Sequence, residues 1–313
     1  MKVLLAGATG AIGQPLIVRL LAQGHDVTGM TSSQRGLTLL REFGAQAVIV
    51  NALDALAVQA AMQQVRPDTV IEELTSLPKH YTADEMRAAA DRDRKVRLEG
   101  GGNVYNAARS VGARRYIVQS TGFFYAPGPG IAAEEDPLAT NASPAVSASV
   151  QTYMQVEERV VKGGDMQGIA LRYGFFYGPG TWFTEDGDIA GQVRERKYPI
   201  TGSGDGVWSW VHVEDAAAAT AAVLECPPGV YNIVDDDPSP LSVWLPAFAG
   251  AVGAPTPPRI SEEEAHESAG PDFVYYATKL RGASNAKAKR EMGFAPRRLE
   301  WLYRTISQAK NPQ

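Results

Sequence analysis

Cysteine is almost absent from this chain: Cys226 stands alone among 313 residues. An internal disulfide is therefore excluded, and a reducing compartment fits. No motif surrounds Cys226, so it reads as a small residue at a helix end rather than a nucleophile. The four histidines (25, 80, 212 and 266) show no metal-ligand spacing and no Cys/His cluster exists, so no metal is expected. No apolar run approaches a membrane span, and the N-terminal one meets glycine too soon to be a signal-peptide core. Long Lys/Arg blocks are missing too, and the net charge is −5, which argues against nucleic acid or an anionic membrane as partner. The expectation is a soluble cytoplasmic protein acting on a small molecule. At this length it holds one large domain or two coupled ones, and no internal repeat is visible.

What is present is concentrated at the N-terminus. An apolar strand, Val3–Ala6, runs straight into glycines at 7, 10 and 13, and a helix follows with Ile12, Leu16 and Leu20 on one face. Gly7 permits the tight strand-to-helix turn, Gly10 lets a pyrophosphate approach the backbone, and Gly13 lets helix and strand pack closely. Thr9, Ala11 and Ile12 lie in the same turn, and the helix N-terminus offers free N–H groups and partial positive charge. The turn is thus a candidate dinucleotide cradle.

Strand-like and helical runs then alternate. Residues 3–6, 26–30, 47–50, 69–71, 116–119 and 169–173 read as strands; 11–23, 34–43, 54–65, 83–111 and 147–163 read as helices. This spacing predicts an α/β fold: a Rossmann-type doubly wound parallel sheet covered on both faces. After Tyr177 the strands shorten and turn signals cluster. Two parts are expected: a dinucleotide-binding Rossmann domain over 1–177, and a smaller mixed substrate-binding region over 178–313, partly interleaved with it. The Pro/Ala/Ser-rich stretch 126–149 reads as a mobile loop over the site.

The end of the second strand addresses the choice of dinucleotide. NAD binders usually place a carboxylate there for the ribose hydroxyls. This chain has Thr31 and Ser32, with Arg35 just beyond. Without the carboxylate a 2′-phosphate is not repelled, and Arg35 can pair with it, so NADP is favoured over NAD. Thr31 and Ser32 could also cap the next helix, a role compatible with phosphate binding.

The order of motifs resembles the extended short-chain dehydrogenase/reductase superfamily, the group of NAD-dependent epimerases and dehydratases. The likeness rests on Gly7/Gly10/Gly13, on Asp68–Ile71, on Gly100 before Asn103, on Tyr116–Thr121, on Leu171–Gly174 with Tyr177–Gly180, and on Val211–Asp215. It implies Asn51 and Ala52 at the adenine and Leu74 and Thr75 under the nicotinamide ribose. It further implies Ser120 and Thr121 facing the reacting carbon, and Tyr173 with Gly174 at the nicotinamide edge. Thr121, four residues before Tyr125, matches the catalytic Ser/Thr, whose hydroxyl can donate to a developing oxyanion. The resemblance also implies a homodimer through the helices around 83–111 and 147–163, and a structural role for His212.

The departures are as informative. The superfamily's proton donor is a tyrosine followed four residues later by a lysine, whereas here Tyr153 is followed by Glu157. A carboxylate beside Tyr153 would raise its pKa. Another register puts Ser149 or Val150 in the tyrosine slot and Tyr153 or Met154 in the lysine slot; either way the pair is broken. Arg97 replaces a structural asparagine three residues before Gly100. Glu72 and Glu73, adjacent at a strand end, should point to opposite sides, with one solvated and the other bonded to backbone or to Arg97.

On the substrate side, Trp208 stands where sugar-nucleotide enzymes carry a diphosphate-binding arginine, and an indole offers an apolar face instead. Phe123, Tyr125, Phe176 and Tyr177 are further candidates. Many aromatics at strand ends are core, but the remainder suits an apolar substrate. The function expected is an NADP-dependent oxidoreductase reducing a C=O or C=C bond of an apolar or aromatic small molecule, with Thr121 and Tyr153 as catalytic candidates. The alternatives are a redox-inactive NADP(H)-binding sensor or partner-binding protein, and an epimerase or lyase using bound cofactor.

Overall fold

In the computed structural model, which describes residues 1–303, β1 (Lys2–Ala6) is buried on both faces from Val3 onward. Only a central strand of a sheet covered by helices on both sides buries every residue in this way. The chain continues through α1 (Gly13–Ala22), β2 (Asp26–Thr31), α2 (Gln34–Glu42), β3 (Gln46–Ile49), α3 (Ala55–Val65) and β4 (Thr69–Glu72). Then come α4 (Ala83–Lys95), a π-helical turn (Val96–Gly100), α5 (Gly101–Ser110), β5 (Arg115–Thr121), α6 (Pro144–Val161) and β6 (Gln167–Tyr173). The expected helix over 83–111 is thus two α-helices joined by the π turn.

The second half begins with β7 (Phe175–Tyr177), α7 (Asp188–Arg194), β8 (Ile200–Thr201), β9 (Val207–Trp208), β10 (Trp210–His212), α8 (Val213–Ala222) and β11 (Gly229–Ile233). It ends with β12 (Ser239–Pro240), α9 (Leu241–Ala251), β13 (Arg259–Ile260), α10 (Glu262–Ala269), α11 (Pro271–Thr278) and α12 (Ala286–Met292).

Seven strands form one sheet in the order β11-β6-β5-β4-β1-β2-β3, every neighbouring pair parallel. The winding reverses between β1 and β4, which opens a crevice at their carboxyl ends, where sheets of this kind bind ligands. β11 lies beyond residue 178 yet pairs with β6, so the later part of the chain builds the sheet as well as covering its end. The sequence pattern shows six of these strands; the seventh, β11, lies in the later region where turn residues cluster.

Each helix layer follows from its apolar stripe. Leu16, Ile17 and Leu20 of α1 pack with Ala216, Ala217 and Ala219 of α8 on one face of the sheet. Val58 and Met62 of α3, Val104 and Ala108 of α5, and Val156 and Val160 of α6 pack on the other. A third core, rich in aromatics, lies in the C-terminal region around Phe175, Phe183, Trp208, Trp210, Trp244 and Phe248. The stretch 126–149 is pinned by bridges from Tyr125 to Leu138 and from Ala132 to Ala283, and its last residues belong to α6. Cys226 is buried just after a 3₁₀ turn that follows α8, as a small core residue.

Candidate active site

Backbone geometry builds the first part of the site. Gly7 has φ +84°, and a Cβ there would lie 2.3 Å from the Glu73 carbonyl oxygen, so only glycine fits between the ends of β1 and β4. At Gly13 a Cβ would lie 2.5 Å from the Ala8 carbonyl oxygen. Gly10 is exposed, with its N–H donated to the Gly7 carbonyl. Among the described residues, the N–H groups of Ala11 and Ile12 donate to no backbone carbonyl. Ile12 itself is buried and anchors the turn, while Thr9 is half-buried and its carbonyl accepts from Gln14 Nε2. The result is a glycine-lined cradle at a helix N-terminus, the shape and polarity a pyrophosphate requires.

The end of β2 differs in detail from expectation. Ser33, not Thr31 or Ser32, caps α2: its Oγ accepts from the Gly36 N–H at 3.1 Å. Thr31 is buried, with its Oγ1 3.4 Å from the Ser33 nitrogen. Ser32 and Arg35 are exposed at the α2 N-terminus. Further along the edge, Asn51 is exposed and Oδ1 accepts from the Leu53 N–H, whereas Ala52 is buried and its carbonyl accepts from Asn103 Nδ2. Leu74 is half-buried and Thr75 exposed.

The end of β5 separates two residues expected to act side by side. Successive strand residues face opposite sides, and Ser120 faces α6, donating to Glu157 Oε1 at 2.6 Å. Ser120 is thus held on the α6 side of the sheet. Thr121 is buried at the strand end, and its side chain forms no hydrogen bond among the described residues. Glu157 is also turned away from Tyr153. Arg172 grips its two oxygens at 2.7 Å each, and the same guanidinium donates to the Tyr125 hydroxyl at 2.9 Å. Tyr125 in turn donates to Asn232 at 2.6 Å. Tyr125 is thus part of a buried polar network. Only the Arg in the Leu171–Gly174 motif hinted at that network.

Tyr153 has a cation beside it after all. Arg97, on the π turn, places its guanidinium carbon 4.8 Å from the centre of the Tyr153 ring. Its Nε donates to Asp93 at 2.7 Å, and Asp93 also accepts the Ser76 N–H. Burial raises the Tyr153 pKa; Arg97 offsets part of that rise and Asp93 adds to it, so the hydroxyl stays above its usual range. Burial also opposes the charge on Arg97, but Tyr153, Asp93 and Glu72 outweigh it and hold Arg97 firmly protonated. The expectation of a carboxylate acting on Tyr153 from Glu157 is corrected accordingly. Ser149 is half-buried and Val150 fully buried.

Glu72 and Glu73 do point to opposite layers, but neither is solvated, because β4 is covered on both faces. Glu72 accepts from the Tyr116 hydroxyl and lies 3.5 Å from Arg159. Glu73 accepts from the Tyr173 hydroxyl at 3.0 Å, and its second oxygen has no partner. Burial pushes the Glu73 carboxyl up to about 8. Tyr173 shares a second hydrogen bond with Thr220 at 2.6 Å and sits inside the sheet's core, not at an open pocket edge.

The aromatic candidates divide in the same way. Trp208 stacks on Phe175 with centroids 3.9 Å apart, donates its Nε1 to the Tyr276 carbonyl and is fully buried. Tyr177 is buried between His212 and Trp301. His212 caps α8 and packs against Tyr177, a structural role. Phe123 and Phe176 are half-buried; Phe123 stacks on Phe175 at 4.0 Å, and Phe176 lies 5.2 Å from Tyr173. Tyr276, half-buried at 6.1 Å from Phe124, joins this wall without having been singled out in the sequence.

Among the described residues no group of acidic, histidine or cysteine side chains could hold a metal, and no helix is long and apolar enough to cross a membrane.

Known proteins match this geometry. The model of the NAD dependent epimerase/dehydratase family matches residues 3–233. A 3-diazoavenalumate denitrifying reductase from Streptomyces is 37% identical over 304 residues, covering 96% of this chain and 98% of the relative. A 2-alkyl-3-oxoalkanoate reductase from Stenotrophomonas maltophilia is 25% identical, covering 82% of this chain and 77% of the relative. The Thermus thermophilus UDP-glucose 4-epimerase, solved in complex with NAD, superposes with a TM-score of 0.71 at 24% identity over the whole of both chains. The chain belongs to the NAD dependent epimerase/dehydratase family.

Proposed function

We propose that this family member is an NADP-dependent reductase acting on a C=O or C=C bond of an apolar or aromatic small molecule, with a degenerate Tyr/Lys pair. The observation that carries the reading is the pairing of an open glycine cradle with the unbonded Thr121 hydroxyl at the same, carboxyl end of the sheet. The relative sharing 37% identity is itself named a reductase. A dinucleotide fits the cradle, because Gly7 and Gly13 let the turn close tightly on its own backbone while Gly10 stays exposed at its mouth.

The nicotinamide supplies the hydride when bound. Thr121 donates a hydrogen bond to the acceptor oxygen as charge develops there. Tyr153 is the candidate proton donor, with Arg97 offsetting part of the effect of burial on its acidity. Exposed Ser32 and Arg35 at the α2 N-terminus, with no carboxylate at Thr31, support a 2′-phosphate and hence NADP. Residues 1–177 carry the cofactor and part of the substrate site, which the partly interleaved region 178–313 completes, in a homodimer by likeness to the superfamily and in a reducing cytoplasm. Light scattering that shows a monomer across micromolar concentrations overturns the dimer.

The test is NADPH absorbance with a panel of carbonyl and enone compounds. Consumption with at least one member is expected. Tight NADPH binding without consumption of any kind favours the second reading, a redox-inactive sensor, for which the missing lysine on α6 speaks.

A further inference from the structure

We propose that Arg97 binds an anionic group of the substrate, and that the substrate is therefore an apolar molecule bearing a carboxylate. The inference rests on the reductase reading above and narrows its substrate class.

The Arg97 side chain is 5% exposed, yet of its five N–H donors only the one on Nε has a hydrogen-bond partner among the described residues. The terminal nitrogens are not among the fully buried unpartnered atoms, so they open outward, where an acceptor can reach them. Asp93 fixes the head group from one side through Nε, and the same carboxylate takes the Ser76 N–H, which ties the π turn to the segment after β4. The terminal nitrogens remain as a rigid planar fork, the geometry that grips a carboxylate through two parallel hydrogen bonds. Glu72 and Glu73 are electrostatically coupled to Arg97, but neither hydrogen-bonds it. Glu72 is committed to Tyr116 and Arg159, while Glu73 gives one oxygen to Tyr173 and its other oxygen has no partner.

What lies beside the fork defines the rest of the ligand. The guanidinium covers the Tyr153 ring. Tyr153 lies 6.2 Å from Phe124, and Phe124 lies 4.8 Å from Phe123 and 6.1 Å from Tyr276. An anionic head at Arg97 thus leaves its carbon skeleton against an aromatic wall. The dinucleotide phosphates offer no competing explanation, since their cradle at Gly7–Gly13 opens onto α1, in the opposite helix layer.

The experiment measures binding of 3-phenylpropanoate and of its methyl ester to the NADP⁺-saturated protein by titration calorimetry. The acid is expected to bind at least about tenfold more tightly than the ester. Arg97→Gln should erase that preference, Arg97→Lys should keep part of it, and neither should change NADPH affinity. A wild-type protein that binds acid and ester equally overturns the proposal without any variant. So does an Arg97→Gln variant that keeps the preference, or one whose loss falls on NADPH instead, which would make Arg97 a cofactor residue. Because binding is read without turnover, a protein that consumes no NADPH in the panel can still show the preference, so failure of the reductase reading is scored separately.

Discussion

At the Gly7–Gly13 turn the working groups belong to the backbone. The demand on sequence there is the absence of side chains, and each glycine is accounted for by a distance to a neighbouring carbonyl. At the corner formed by β5, α6 and the π turn the working groups are side chains, and what matters is which way each one faces. Ser120 and Thr121 are adjacent, but one is tied to Glu157 and the other is unbonded. The lysine missing from α6 has no substitute on α6; the cation beside Tyr153 comes from a different element. A backbone cradle tolerates almost no substitution, whereas a side-chain site can be rebuilt from another direction.

That contrast breaks first, if it breaks, at the cradle. Gly7→Ala forces a Cβ into the Glu73 carbonyl at a positive φ, which should cost about 3 kcal/mol or more of stability. NADPH binding should be lost with it. Thermal melting and a cofactor titration check this, and an alanine variant that binds normally would remove the backbone half of the comparison.

On the side-chain half, Thr121→Val should lower turnover about 10²-fold, roughly the cost of one oxyanion donor, with NADPH affinity unchanged. Steady-state kinetics on the panel substrate decide it. Tyr153→Phe is expected to lower turnover as well; full activity there would move proton donation elsewhere. The cofactor preference sharpens the boundary between the halves. NADPH should bind about tenfold more tightly than NADH, roughly 1.4 kcal/mol, and Arg35→Ala should remove the difference. Equal affinities in the parent protein would contradict it.

The smallest effect concerns pH. The folded-state value of Glu73 is raised, to about 8 from 4.5, so the folded chain keeps a proton that the unfolded chain has lost. Stability from this group is full below the unfolded value and falls as pH rises toward 8. Glu73→Gln cannot lose that proton. Relative to the parent it should melt roughly a few degrees higher at pH 8 and show no gain near pH 4. Asp235, also raised to about 8 by burial, adds the same slope in both proteins.

Most of the sheet was legible in the sequence because continuous apolar runs between turn residues leave few alternatives. The glycine turn was legible for the same reason. The corner was not. Whether a strand-end side chain faces α6 or the crevice depends on register, and Tyr153 followed by Glu157 suggested a contact that Arg172, on β6, takes away. Tyr173, Tyr177 and Trp208 have the composition of a pocket wall, but the aromatic groups of the C-terminal region pack on one another and bury them.

The π turn between α4 and α5 can also be counted as one residue too many for an α-helix, which makes it a phase shift in the chain. Deleting Leu98, Glu99 or Gly100 would let α periodicity resume with α4 and α5 close to their present positions, and Arg97 would leave the wide turn that now sets it over the Tyr153 ring. Asp93 and Arg97 both precede such a cut and keep their i,i+4 pairing, so the pair would move together while neither residue had been replaced. At this corner an alignment gap of one position carries more chemical meaning than most substitutions.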